Sequence, residues 1–522
     1  MDTQDIFYKI GNLDKAIPLF NLGLEKESLK LKYSGRLDNT PHSELLGSSL
    51  THPSITTDFS ESLLEFVTPT FHHLQDVYHY LFDIQKFTYS TLSHNLFWSL
   101  SMPSIIHSEK EIKIAEYGTS NEGLMKYFYR KGLELRYGKM MQVIAGIHYN
   151  FSITDDVWQV LDVDPLDQEK KTQYYLSLLR YINRYNWLLV YLFGASPIVD
   201  QHYFSDNDSN IKTFNRYHNL CYYPYATSIR TSHFGYSNIY QQTINVKYND
   251  IQEYVNTLKK AIMTPSSLYA SFGLKEGENY YQLNTNYLQI ENEFYAMCRP
   301  KAIPQQGEHF LHKLFQGIEY IELRTVDLNP YSPFGISYKQ AQFLNLFLLN
   351  GLLHYTPLDS ENIMIDNQIN LKNTTLYGRK KNLILLKDSK DTFLWEWQKD
   401  LFDELLPLAY ALDSKEKSTE YQDCLRYFSN TINQPENTIS HKVFVDTIKY
   451  GYQNLGLKIA KQHQEFHEKS LYKRMSGMTF NILAKRSLME QKEIETKSNQ
   501  VFSKYLHDFY QNNYSSNGVP SF

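Results

Sequence analysis

Apolar positions recur at helical spacing through residues 72–93, "HHLQDVYHYLFDIQKFTYSTLS". The same period predicts helices over 123–145, with Gly132 and Gly138 as kinks, and over 168–194, 250–263 and 337–356. Shorter stretches between them alternate apolar with polar residues, the period of a strand with one buried face. These are 21–31 ("NLGLEKESLKL"), 62–68, 146–153 ("GIHYNFSI"), 287–295 ("YLQIENEFY") and 317–328. Helices and strands mix without regular βαβ spacing, and no glycine-rich loop follows a strand. The expectation is an α+β fold around a largely antiparallel sheet. Beyond about residue 390 the pattern becomes helical and charged. The predicted organisation is a catalytic region over 1–390, a helical part over 391–500 packed on it, and a segment over 501–522 ending in an irregular tail, "QNNYSSNGVPSF".

The alternation decides which side chains share a face. Glu25 and Glu27 stand together, with Leu24 opposite. Glu65 shares a face with Leu63 and Val67, and Asp58 lies just upstream. His148 pairs with Asn150; Gln289, Glu291, Glu293 and Tyr295 line one face of their segment; Glu322 shares a face with Arg324. One such strand is the ordinary case of a sheet with water on one side. Five strands repeating glutamates, joined by a histidine and an arginine in apolar surroundings, point instead to a concave polar face holding divalent cations. Like charges that close repel unless something positive sits between them, and Mg²⁺ takes such hard oxygen ligands. A second group is cationic and aromatic: Tyr129 and Arg130 on a helix, Arg230 and Tyr236 in "YYPYATSIRTSHFGY". An arginine fork grips carboxylate or phosphate. Both groups together suit a nucleotide-phosphate reaction on a small carboxylate substrate.

Composition narrows the classes further. With 522 residues, 42% hydrophobic and 21% charged, the chain can build a large core. A net charge of −5, from 57 acidic and 52 basic residues, argues against coating nucleic acid or a membrane surface. The three cysteines, Cys221, Cys298 and Cys424, form no CxxC pair, which fits a reducing cytoplasm and gives no protein thiol a part in the chemistry. No signal peptide is read at the N-terminus, and the longest apolar run, "WLLVYLFGA", is too short to span a membrane.

The stretches "GLEKESLKL", "GSSLTHPSITTDFSESLLEFVTP", "WSLSMPS", "YGTSNEGLMKYFYRKGLELRYGKMMQVIAGIHYNFS", "YLFGASP", "YYPYATSIR", "LQIENEFYAMCRPK" and "GIEYIELRTVDLNPYSP" together resemble the glutamate–cysteine ligase family, in its monofunctional bacterial form. The resemblance runs from about residue 20 to about 340 and thins downstream to "YGRKKNL". Lys26, Ser28 and Lys30 depart from the family's usual arginines and threonine, off the Glu25/Glu27 face. No ATP-grasp-like second half follows.

The resemblance implies a curved, largely antiparallel sheet covered by helices, like glutamine synthetase and the guanidino kinases. It implies ATP-dependent joining of the L-glutamate γ-carboxylate to the L-cysteine amine through γ-glutamyl phosphate, the first step of glutathione biosynthesis. By matching positions, Glu25, Glu27, Asp58, Glu65, His148 and Glu322 correspond to a shell for Mg²⁺ or Mn²⁺. Arg324 corresponds to the catalytic arginine on the phosphoryl group, with Asn150 also at the nucleotide, and Tyr129, Arg130, Arg230, Tyr236 and Tyr295 to a cysteine pocket. A monomer, a cytoplasmic location and feedback inhibition by glutathione are further expectations. The residues leave three alternatives open: another amine acceptor, a guanidino-kinase-like phosphotransferase, and a binding paralogue without activity.

Overall fold

Phe20–Lys32 (β1) is the strand on which the site is built. The structure is a computed structural model describing residues 3–204, 215–217, 219–235, 241, 243–305 and 308–514. The other strands of its main sheet are Ile55–Thr57 (β2), Leu63–Val67 (β3), Asn95–Phe97 (β4), Gly146–Ile153 (β5), Cys298–Lys301 (β6) and Tyr320–Asp327 (β7). Their order is β6-β7-β5-β1-β3-β2, every pairing antiparallel, with β4 paired to the far end of β1. Eight helices bear on the site or on the sheet beneath it: Leu74–Thr91 (α1), Asn121–Tyr137 (α2), Gln168–Phe193 (α3), Tyr338–Leu353 (α4), Leu394–Glu416 (α5), Tyr452–Lys469 (α6), Gly477–Lys497 (α7) and Phe502–Tyr514 (α8).

The reverse of the sheet is its core side. Leu22, Leu24, Tyr149, Phe151, Ile321 and Leu323 are fully buried there, and Tyr149 donates to Asn345 on α4 at 2.6 Å. Helices α1 and α3 pack on the same layer, and α5 covers α4. Lys26 and Lys30 also point to this side and are buried. The Lys26 amine donates to the Pro333 carbonyl at 2.9 Å, and burial pulls its pKa down to about 7.

The C-terminal helices pack onto this framework, α6 against α1 and β4, and α7 against α1. At Gly456 of α6 a Cβ would come within 2.0 Å of the buried Trp98 ring. Gly456→Ala is therefore expected to destabilise the protein by about 1–3 kcal/mol through overpacking, read as a lower denaturation midpoint.

Three expectations are corrected. Residues 287–295 do not form a strand. Glu291–Glu293 is a 3₁₀ turn, because the Glu293 carboxylate accepts from the Gln289 backbone N–H at 2.6 Å and closes the segment on itself. Gln289, Glu291, Glu293 and Tyr295 therefore do not share one face, and the strand edge is supplied by β6 instead. The helix predicted over 123–145 ends at Tyr137, where Gly138 takes φ +77°. Gly132 is no kink: a Cβ there would stand 2.1 Å from Gln289 Oε1, so glycine permits the close approach. Finally, the segment over 501–522 is not an irregular tail throughout, since α8 runs to Tyr514; the remaining residues, 515–522, lie outside the described residues.

Candidate active site

Register across the antiparallel sheet turns separate sequence stretches into neighbours. Glu25 is opposite His148 on β5, and Glu27 is opposite Glu65 on β3. Glu322 on β7 lies between Asn150 of β5 and Arg299 of β6. Directly opposed residues bring their Cβ atoms within about 5 Å. Here that gathers carboxylates from three strands, β1, β3 and β7, and a histidine from β5 on one face, the face away from the helical layer.

His148 links the two glutamates of β1. Its Nδ1 lies 2.9 Å from Glu25 Oε2 and its Nε2 3.7 Å from Glu27 Oε1. Asn150 donates to the other Glu25 oxygen at 2.9 Å, and the Gly146 backbone N–H donates to Glu27 at 2.7 Å. One ligand atom each of Glu25, Glu65 and His148 falls within 4.8 Å of the others. Asp58, on the β2–β3 connection, faces the same space.

The charges of this face do not balance internally. Burial, and then the charges of Glu25, Asp58 and Glu27, hold the Glu65 carboxyl well above the usual carboxylate range. Burial likewise raises Glu27. Burial is the largest influence on Glu25 and works against its ionisation, but the hydrogen bond from His148 and the charges of His148 and Lys301 together overcome it and leave the carboxyl below its ordinary value. Glu322 is held well below the usual carboxylate range, because Lys301, Arg324, His148 and Arg299 together overcome its burial. The acidic surplus therefore sits at the Glu25–Glu27–Glu65 end.

Arg324 shares the face of Glu322 and lies beside an irregularity. The β7–β5 register slips by one residue between Leu323 and Val326, a bulge of the kind that re-aims a side chain. The Arg324 guanidinium lies 3.4 Å from Glu322, and its backbone N–H donates to the Met297 carbonyl at 2.8 Å.

Above the sheet lies a cavity of about 660 Å³, within the size range of small-molecule sites. Its floor is Glu25, Glu27, Glu65, His148, Glu322 and Arg324. Helix α2 forms a wall with Tyr129 and Arg130, and the turn after Ile290 adds Tyr295. Arg130 donates through Nε to the Asp58 carbonyl, with Nη2 3.9 Å from the Asp58 carboxylate. Its guanidinium also lies over the Tyr117 ring, 4.5 Å from the centroid. Burial lifts the Tyr129 and Tyr295 hydroxyls above their ordinary values, leaving both neutral donors at physiological pH.

Arg230 does not line this cavity. It lies behind the wall, 3% exposed, 3.6 Å from Asp327 and donating to the Arg324 carbonyl at 3.0 Å. Tyr236 lies outside the described residues. Glu293 is near the cavity but engaged elsewhere, in a fully buried ion pair with Arg136 at 2.9 Å. Burial pushes the thiol pKa of Cys221 up to about 11 and those of Cys298 and Cys424 up to about 12, and none of the three lines the cavity.

Sequence reasoning missed Arg299, Lys301 and Lys126, which all line the cavity. The signal for the first two was the two-residue spacing in "RPK", obscured by placing the strand a few residues too early.

The family model for glutamate-cysteine ligase matches residues 9–374. The chain belongs to the glutamate–cysteine ligase family. A glutamate–cysteine ligase of Baumannia cicadellinicola is 40% identical over 510 residues, covering 97% of this chain and 98% of that one. The one from Aliivibrio salmonicida is 37% identical, with 96% and 98% covered. Among solved structures, the glutamate–cysteine ligase of Francisella tularensis, in complex with AMP, superposes with a TM-score of 0.88 at 30% identity. It covers 96% of this chain and 99% of that one. A bifunctional glutathione synthetase of Pasteurella multocida shares the fold, with a TM-score of 0.71 at 24% identity; 92% of this chain and 58% of that one are covered. Membership of the glutamate–cysteine ligase family makes this chain an ATP-dependent enzyme that forms γ-glutamylcysteine, the first step of glutathione biosynthesis. That disfavours the alternatives of a guanidino-kinase-like transferase and of a different acceptor. Among the described residues no helix is long and apolar enough to cross a membrane.

Proposed function

We propose that this cavity is where the family's reaction takes place, with Mg²⁺ held by Glu25, Glu27, Asp58, Glu65, His148 and Glu322. The observation that carries the reading is the gathering of these carboxylates from distant segments onto one recessed face, with Arg324 beside them. The donor set fits the ion: hard oxygens with one imidazole, and an acidic surplus at Glu65 that the surrounding protein leaves uncompensated. Mn²⁺ suits the same ligands. When bound, such cations neutralise charge between the nucleotide phosphates and the acceptor carboxylate.

The protein's task is positioning. The γ-phosphoryl of ATP passes to the glutamate side-chain carboxylate, giving γ-glutamyl phosphate and ADP. The free amine of cysteine then attacks that carbonyl, phosphate leaves, and the amine proton is lost. Arg324 is placed to meet charge on the phosphoryl oxygens, and Asn150 holds Glu25 in position from the neighbouring strand. Tyr129, Arg130 and Tyr295 form the amine-acceptor end. Of the two arginines expected at the cysteine pocket, Arg130 is the one that lines the cavity, so it takes the cysteine carboxylate; Arg230 supports the backbone of Arg324 from behind.

The test is ADP release with ATP, Mg²⁺ and glutamate, with and without cysteine. A rate that rises with cysteine is expected; no nucleotide turnover with both amino acids present overturns the reading. Arg130→Ala is expected to raise the KM for cysteine about 10–100-fold, the loss of a charged hydrogen bond worth about 1.5–3 kcal/mol, with far less change for ATP. The same reading includes a cytoplasmic monomer inhibited by glutathione through overlap with the two amino-acid subsites.

A further inference from the structure

Helix α8 reaches the main core only at its C-terminal end, through Tyr514 with Phe509 and Tyr510 packed alongside. Its Phe502 and Leu506 instead join Phe128, Tyr280 and Leu283 in a separate small cluster. The Phe502 ring lies 5.1 Å from Phe128 and 5.2 Å from Tyr280. Phe128 immediately precedes Tyr129, so this cluster seats α8 on the helix that carries the acceptor-side residues. One turn beyond Phe502, Tyr505 enters the cavity lining beside Glu122, Met125, Lys126, Tyr129 and Ile290.

The rest of α8 grips the segment leading to Tyr295. The Tyr510 hydroxyl donates to the Gln289 carbonyl at 2.8 Å and accepts from Asn284 at 2.9 Å. Tyr514 donates to the Glu291 carboxylate at 2.5 Å. Gln289 in turn donates to the Tyr129 carbonyl at 3.3 Å. From inside, Glu293 ties the same segment to Arg136 and Tyr137 of α2. The two walls holding Tyr129 and Tyr295 are thus joined three ways: by the Gln289–Tyr129 bond, by the buried Glu293 network and by α8.

We propose that α8 completes the amine-acceptor pocket, with Tyr505 as a specificity-determining wall that limits the acceptor side chain, and Tyr510 and Tyr514 as positioning residues for the 289–295 segment. The physical basis is that a small apolar side chain is discriminated mainly by the shape of what surrounds it. Arg130 meets the carboxylate common to every amino acid, whereas the Tyr505 ring lines the cavity among the apolar parts of Met125, Tyr129 and Ile290, a surface that reads size. The inference rests on the assignment of Tyr129 and Arg130 to the acceptor.

The experiment compares Tyr505→Ala, Tyr505→Trp and Tyr505→Phe, with KM and kcat measured for cysteine, alanine, 2-aminobutyrate and a longer apolar amino acid. Tyr505→Ala is expected to raise the KM for cysteine about tenfold and to improve the longer acceptor relative to cysteine. Tyr505→Trp should shift preference towards alanine, and Tyr505→Phe should restore the wild-type ranking. The changes should fall on the acceptor ranking and the acceptor KM and not on the KM for ATP. Tyr510→Phe combined with Tyr514→Phe should raise the cysteine KM without altering the ranking. An unchanged acceptor ranking in both Tyr505→Ala and Tyr505→Trp overturns the inference, and so does an effect confined to the KM for ATP. If Tyr505→Ala fails to fold, Tyr505→Trp decides alone. A wild-type protein without acceptor-dependent ADP release would defeat the underlying reading instead. A cysteine effect in Arg130→Ala with none at Tyr505 would defeat only this one.

Discussion

Arg324→Ala is expected to leave a folded protein whose turnover falls by about 10³–10⁵, the range for an arginine that stabilises a transferring phosphoryl group. The structure shows why the fold should survive. The Arg324 side chain is a quarter exposed and leans on Glu322 at 3.4 Å, while its backbone is held by Met297 and Arg230. Removing the guanidinium leaves those backbone bonds in place. It also leaves Glu322 with Lys301 at 3.6 Å, so that carboxylate keeps an ion pair. Steady-state kcat with saturating substrates is the readout, with denaturant unfolding as the control. Turnover within tenfold of wild type would remove Arg324 from the phosphoryl step.

Glu65→Gln should separate the metal from the fold by acting on them in opposite directions. Without cations Glu65 is the least comfortable carboxylate of the face, held high by burial and by Glu25, Asp58 and Glu27. Unit charges about 4 Å apart repel by about 1–4 kcal/mol between water and a protein surface. The amide keeps the shape and removes the charge. Metal-free Glu65→Gln is therefore expected to be more stable than metal-free wild type. Mg²⁺ should reverse the order: it stabilises wild type by about 2.7 kcal/mol at a hundredfold excess over Kd, and the variant by much less. Affinity for Mg²⁺ should drop by at least about 10–100-fold, the loss seen even for residues that only support metal ligands, and activity should fall with it. Equal Mg²⁺-dependent stabilisation of the two proteins would place the ion elsewhere.

Much of the site was legible because a strand has a fixed period of two. Glu25 with Glu27, Glu65, His148 with Asn150, and Glu322 with Arg324 each fall on the face that alternation assigns. Where local bonds override the period, the reading failed. At 287–295 the alternation is genuine, yet a buried Arg136 and the bond from the Gln289 backbone pull Glu293 inward and make a turn. The apolar spacing after Phe502 was too short a signal against the polar residues around it. What stabilises α8 is a cluster with Phe128 and Tyr280, more than two hundred residues away in sequence.

The chain alone therefore determined the residue types, their faces, and the family that they belong to. Only the tertiary structure decided the register that sets Glu27 against Glu65 and Glu25 against His148, the one-residue slip in the β7–β5 pairing next to Arg324, and the placing of Arg230 behind the wall instead of in the cavity. The physical reason is range. Side-chain direction follows from bonds between neighbouring residues, whereas register and burial follow from contacts across hundreds of residues, which no local pattern encodes.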